Sequence, residues 1–268
     1  MRSYLANNGR RPVKGGRNGW AMVLGLVVLL SGADARGQGD GSKLPAGEWK
    51  LVFGDEFEGG DKEIDGQWEF QNGPSGHILC SRWRENASVS DGVLKLTARK
   101  EPRGGQEWTA ASMWTKRKFN YGYFECRYKY AAATGTNNSF WLMTQGMAKD
   151  AAGKFEIDIN EGHYPDEVNM NIHNWSGKHW AKSAHRKIDG ADLAKAFHVY
   201  GLEWNEKELV WYFDGREMRR EKNSICHKEA PVLLSLAIFK WAGPVTDAID
   251  GKAMEVDWVR VYQKDGGG

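Results

Sequence analysis

Lys154-Phe155-Glu156-Ile157-Asp158-Ile159-Asn160-Glu161-Gly162 is the stretch from which the rest of the chain is read. It sets three carboxylates within six positions, between apolar residues. In a β-strand successive side chains point to opposite faces. Glu156 and Asp158 therefore share one face, and Phe155, Ile157 and Ile159 take the other. Glu161 has the wrong parity for the carboxylate face. A single β-bulge near Ile159-Asn160 restores it, and bulges gather beside active sites. With that bulge the three carboxylates form one acidic row on one wall.

Such a row is costly unless it is used. Three neighbouring carboxylates repel, so at least one should hold its proton above its ordinary range. One ionised and one protonated carboxyl is the pair that glycoside hydrolysis requires. At roughly 3.3 Å per residue, Glu156 and Glu161 stand about 13 Å apart along the backbone once the bulge is discounted. Two long side chains leaning inward over a concave sheet can close to the roughly 5–5.5 Å of a retaining pair. An inverting pair sits wider, at about 6.5–9.5 Å, and the pattern alone leaves it open. A solvated edge strand or a calcium-binding acidic patch are the structural alternatives.

The whole chain sets bounds on this reading. Its 268 residues suit one large all-β domain. Its 13 Trp supply aromatic faces that stack on sugar rings, although a large sandwich core also consumes aromatics. The net charge is +2, and Arg2, Arg10, Arg11, Lys14 and Arg17 against Asp34 account for more than all of it. The remainder, at about −2, argues against nucleic acid as a partner. Cys80, Cys126 and Cys226 show no metal-ligand spacing. One disulfide plus one free thiol is compatible with them, and Cys126, in an alternating run, reads as buried and inert.

Residues 1–35 read as a secretory signal peptide. A basic start precedes the apolar run 20–30, and Ala33-Asp34-Ala35 offers a small-x-small cleavage site. The apolar run is short for a membrane span. The expectation is a secreted or periplasmic protein, cleaved near Ala35 and free of the membrane. A Gly-rich linker follows over 36–47, and the domain proper over 48–264. Alternating runs predict strands over 49–53, 92–99, 121–130, 139–144, 155–160, 168–175, 197–204, 209–213, 232–239 and 254–262. Asp214-Gly215 is a hairpin signal, and a short helix is expected over 192–195. Many short strands with polar turns mean a sandwich or barrel.

Glu-Ile-Asp-Ile-Asn-Glu resembles the catalytic signature of glycoside hydrolase family 16 in its bulged form, Glu-x-Asp-x-x-Glu. The resemblance runs from about Trp49 to Tyr262. It implies a concanavalin A-like jelly-roll β-sandwich, two curved antiparallel sheets with substrate in a concave groove. Carried over by position, Glu156 resembles the nucleophile, Glu161 the acid/base and Asp158 the residue assisting the nucleophile. Trp141, in Phe140-Trp141-Leu142-Met143, resembles the aromatic at the cleft floor. Trp114 resembles another cleft residue, and Trp68 and Asn86 resemble the entry side of the groove. His77 and Arg84 could meet an anionic group, and Lys240-Trp241 pairs a cation with an aromatic. Asn169, Asn171, His173 and Trp175 share one parity on the partner strand, and His173 is read as a substrate-binding residue there. Asp257 resembles a residue that helps hold a structural calcium on the convex side. No cofactor is expected in the chemistry.

Together these imply a secreted, retaining endo-β-glycosidase that acts on a polysaccharide as a monomer. Asn138-Ser139 before Phe140-Trp141 resembles the agarase, porphyranase and carrageenase branch of that family, which leans the substrate toward a marine galactan of the agar, porphyran or carrageenan type. An endo-β-1,3- or β-1,3-1,4-glucanase is the alternative, and a non-catalytic glycan-binding protein on the same fold is the second.

Overall fold

The computed structural model describes residues 41–145 and 152–264. The signal peptide read over 1–35, and the linker as far as residue 40, lie outside the described residues. Residues 41–47 carry neither strand nor helix. Among the described residues no helix is long and apolar enough to cross a membrane.

Runs with a period of two become strands, and the strands form two large antiparallel sheets, as a jelly-roll β-sandwich requires. The seven-stranded sheet is ordered Trp180–Lys187, Glu167–Asn174, Phe155–His163, Thr136–Met143, Ala230–Ile238, Ser112–Phe119 and Trp68–Phe70. The acidic strand therefore lies third from one edge, with Glu167–Asn174 as its hairpin partner. The second sheet is ordered Arg216–Lys222, Glu208–Phe213, His198–Trp204, Gly122–Lys129, Ala253–Lys264, Val93–Thr97 and Ala87–Ser90. Trp49–Asp55 joins it by pairing with Ala253–Lys264. A separate short pair, Cys80–Arg82 with Trp108–Ala110, runs parallel.

The inner face of the seven-stranded sheet is apolar. Phe140, Leu142, Phe155, Ile157 and Leu234 are fully buried in one cluster with Tyr128, Leu202 and Trp204 of the facing sheet. The Phe155 and Trp204 rings meet edge to face at 5.6 Å. Burying each such side chain contributes about 1.5–3 kcal/mol, which keeps the acidic strand's other face turned outward. Gly162 has to be glycine for a packing reason, since a Cβ there would lie 2.2 Å from Cζ of Tyr130.

Several expectations change, and strands outside the expected runs include Ser112–Phe119 and Arg216–Lys222. Residues 192–195 form a turn, with the Lys195 N–H donating to the Asp192 carbonyl at 2.9 Å. Four residues are too few to propagate a helix without packing. The edge strand Trp180–Lys187 was not anticipated, because Trp-Ala-Lys-Ser-Ala-His-Arg-Lys shows no apolar alternation and is exposed almost throughout. The three cysteines are all buried and free, so there is no disulfide.

Gly162→Ala should overpack the Tyr130 site and cost about 1–3 kcal/mol. A thermal melt should show Tm several degrees lower, and an unchanged Tm would mean that Tyr130 has room to retreat.

Candidate active site

The bulge falls where parity demands it. Against Thr136–Met143, Asp158 pairs with Trp141 but Asn160 pairs with Phe140, which leaves Ile159 as the extra residue. Against Glu167–Asn174 the register jumps from Asp158 opposite Asn171 to Glu161 opposite Asn169. Glu161 is thereby returned to the face of Glu156 and Asp158, and all three line a groove of about 690 Å³.

A bulge leaves backbone groups unpaired, and this one has partners for them. The Asp158 carbonyl accepts from the Trp211 indole N–H at 2.8 Å. Asn160 turns into the core, where its Oδ1 accepts from the Asn169 backbone N–H at 3.2 Å. Its Nδ2 donates to the Tyr128 and Tyr130 hydroxyls at 2.6 and 2.8 Å.

The three carboxylates have different surroundings. Glu156 Oε2 accepts from the Trp175 indole N–H at 2.7 Å. Glu161 accepts from two amides, Asn137 Nδ2 at 2.7 Å and Asn171 Nδ2 at 2.8 Å. Asp158 is the most deeply buried, and His173 Nε2 stands 3.2 Å from its Oδ2. His173, Trp175 and His179 stack, with Trp175 and His179 centroids 4.1 Å apart.

Burial dominates the electrostatics. It pushes the Glu156 carboxyl up to about 8, reinforced by the charge of Asp158 and opposed by His173 and by the Trp175 hydrogen bond. Asp158 is raised well above the ordinary carboxylate range by burial and by the charge of Glu161. Glu161 is raised by burial and held back by Asn137, His173 and Asn171. At neutral pH the row therefore carries fewer than three negative charges.

The other residues singled out from the sequence divide. Trp141 lines the groove, half-buried, and its indole N–H donates to Ser235 Oγ at 3.2 Å. His173 lines it too. Trp114 lies in the same cross-strand row, since Leu233 pairs with both Trp141 and Trp114, but it stands outside the cavity and bonds Glu69 at 2.8 Å.

Trp68 and Asn86 do not reach the groove. Trp68 is buried against Phe53 and Phe57, with its N–H on Asp55 Oδ2 at 2.8 Å. Asn86 is buried with its amide on the Thr97 carbonyl and Thr109 Oγ1, both at 2.9 Å.

Arg84 is occupied by Asp65 at 2.7 Å and lies over the Phe70 ring. The Asp257 carboxylate is held by the Arg127 guanidinium. A cation there would have to displace a guanidinium, so the residues present do not fit a calcium site. Among the described residues, the donor atoms that converge closely enough for a metal are those of Glu156, Asp158 and His173, within 4.8 Å of one another. That cluster is the acidic row itself.

Residues not singled out as binding also stand at the site: Trp175 and Asn137 line the groove, Asn171 bonds Glu161 and His179 stacks on Trp175. Trp175 and Asn171 were legible from the parity they share with His173. Asn137 shares parity with Trp141. His179 lies in a turn, where parity gives no signal.

The profile of the glycosyl hydrolases family 16 matches residues 77–260. The chain is similar to a beta-glucanase of Rhodothermus marinus, 29% identical over 89% of this chain and 93% of that one. It is similar to beta-porphyranase B of Zobellia galactanivorans, 26% identical over 84% of this chain and 88% of that one. Among solved structures, the catalytic domain of an endo-1,3-beta-glucanase (laminarinase) from Thermotoga petrophila matches with a TM-score of 0.70 at 26% identity. That match covers 82% of this chain and all of the other.

The acidic row should make stability depend on pH. A carboxyl whose pKa is higher folded than unfolded binds more protons in the folded state. Stability is therefore lost as pH rises from about 4.5 toward about 8. Glu156→Gln removes the charge and should raise Tm relative to wild type, by more at pH 8 than at pH 5. A Tm difference independent of pH would show that Glu156 is not strained by burial.

Proposed function

The chain belongs to glycosyl hydrolase family 16, and from that premise we propose that it is a retaining endo-β-glycosidase acting on a β-linked polysaccharide. One observation carries the reading. The bulge at Ile159 brings Glu156 and Glu161 to the same groove face, with different partners on each.

Asp158 is bonded to Glu156 and is the more deeply buried of the two. For the reaction the proton that the pair shares passes to Asp158, which leaves Glu156 ionised. Glu156 then attacks the anomeric carbon while Glu161 gives its proton to the departing glycosidic oxygen. The old C–O bond breaks as the new glycosyl–Glu156 bond forms. Glu161, now a base held in place by Asn137 and Asn171, takes a proton from water. The water oxygen attacks the same carbon and Glu156 leaves. Trp141 gives the sugar an aromatic surface beside Asp158.

For the substrate we take a galactan of the agar, porphyran or carrageenan type. A β-1,3- or mixed-linkage glucan is the second reading, favoured by the match to the Rhodothermus marinus beta-glucanase. A polymer of either kind requires export of the enzyme, in keeping with the leader read over 1–35. Reducing-sugar release and product mass from agarose, porphyran, carrageenans and laminarin decide between them, and turnover of laminarin alone replaces the galactan with the glucan.

Two predictions follow from the assigned roles. Glu161→Gln should lower kcat by about 10²–10⁴, and early products of the wild type should keep the β-anomer by ¹H NMR. An inverted first product would reassign Glu156 as a base. Trp175→Phe removes a donor that favours ionised Glu156. The acidic limb of the kcat/KM profile should move to higher pH, and an unmoved limb would mean that Trp175 does not tune Glu156.

A further inference from the structure

Arg82 lies in the wall of the groove with its charge unneutralised. Its side chain is only 8% exposed, yet it lines the cavity. Arginine is almost never buried to this degree without a paired carboxylate. Here its one hydrogen-bond acceptor is neutral, Gln71 Oε1, and long at 3.4 Å from Nη1. Nε is sealed from solvent and has no hydrogen-bond partner among the described residues. Among the described residues no carboxylate pairs with it, and the only ionisable group with a marked influence on it is Cys80, whose buried thiol stays protonated.

The backbone holds the guanidinium in place. Arg82 and Gly73 exchange both backbone hydrogen bonds, at 2.8 and 2.9 Å. The Leu79 N–H donates to the Ile238 carbonyl at 2.9 Å, which fastens the whole segment to the end of the groove sheet. The acidic row does not supply the missing counter-charge. The groups acting most on Glu161 are Asn137, His173, Asn171 and His185.

The rest of the corner suits a sugar ring that carries a charge. His77 lines the groove beside Arg82, and burial and the Arg82 charge keep its imidazole neutral, so it can donate one N–H. Trp241 is 57% exposed and packs on Phe239 with centroids 4.6 Å apart, offering an aromatic face. Both rings line the same cavity.

We infer that this corner is an anion subsite: the groove-facing end of the Arg82 guanidinium, with His77, receives an oxyanion substituent of the polysaccharide, a sulfate ester or a carboxylate, while Trp241 and Phe239 flank the ring that bears it. A guanidinium N–H gives either oxyanion a charge-assisted hydrogen bond. The inference rests on the glycosidase reading above and narrows its substrate to an anionic polymer.

Two measurements test it. The first compares kcat/KM on a sulfated galactan with that on the same polymer chemically desulfated, for the wild type and for Arg82→Gln. The wild type should favour the sulfated form by about tenfold or more, and Arg82→Gln should abolish the preference, mainly through KM. A second pair, a uronate-bearing polymer and its carboxyl-reduced form, identifies which oxyanion is taken. Equal ratios in wild type and variant, for both pairs, would overturn the subsite.

The second measurement needs no change at Arg82, and it decides the matter if Arg82→Gln does not fold. Glu156→Gln protein is titrated calorimetrically with anionic and neutralised oligosaccharides of equal length. Tighter binding of the anionic form by about tenfold, narrowing as salt is added, supports the subsite. Equal affinities reject it. Persistent hydrolysis by Glu156→Gln would instead reject the catalytic assignment, and the binding comparison would still be readable.

Discussion

The constraint on which the site depends is the capture of one bulge by the opposite layer. An extra residue in the acidic strand interrupts the hydrogen-bond ladder on both sides, at a cost of about 1–3 kcal/mol for each buried group left unpaired. Asn160 replaces part of the ladder with its side chain, and Trp211 takes the Asp158 carbonyl. Trp211 belongs to the strand Glu208–Phe213, and Tyr128 to Gly122–Lys129, both in the facing sheet. The kink that aligns Glu161 with Glu156 is thus completed only when the two sheets close on each other. Closure of the sandwich and assembly of the site are one event.

The same arrangement explains why a stable fold tolerates an unfavourable cluster. Three crowded carboxylates, Asp158 buried and Glu156 and Glu161 half-buried, penalise the folded state, and the apolar inner face of the same strand offsets the penalty. Phe155 and Ile157 are fully buried behind Glu156 and Asp158. The polar partners are placed on neighbouring strands in register, with Asn171 opposite Asp158, Asn169 opposite Glu161 and His173 opposite Glu156. Side chains in cross-strand register need little reorganisation to serve a reaction, and preorganised donors of this kind are the main electrostatic resource of enzymes.

Much of this was legible in the chain because alternation is a local signal. Parity alone located the bulge, and parity put Asn171, His173 and Trp175 on the groove face. The family resemblance supplied the sandwich and the position of Trp141. What was not legible depends on distant partners. Trp68 and Asn86 lie in short segments whose neighbours decide their direction. Asn86 finds Thr97 and Thr109, and Trp68 finds Asp55, and none of these pairings has a sequence signature. Arg82 and Arg84 are two residues apart, yet Asp61 and Asp65 neutralise only Arg84. Choosing between them requires the parallel pairing of Cys80–Arg82 with Trp108–Ala110, which no hydrophobic period announces. The strand Trp180–Lys187 carries no hydrophobic period because both of its faces are wet.

That wet strand has a consequence for how the molecule meets its own copies. It is the outermost strand of the groove sheet, so among the described residues one row of its backbone N–H and C=O groups has no ladder partner. Such a rim is a template for sheet extension from one molecule into the next. Lys182, Arg186 and Lys187 stand along it, and the strand contains no acidic residue. Lys182 is paired with Glu221 and Lys187 with Glu167, so two rims approaching each other would have to part these pairs and strip charged side chains of water before any backbone bond could form, and the exposed border of the groove sheet resists fibrous association.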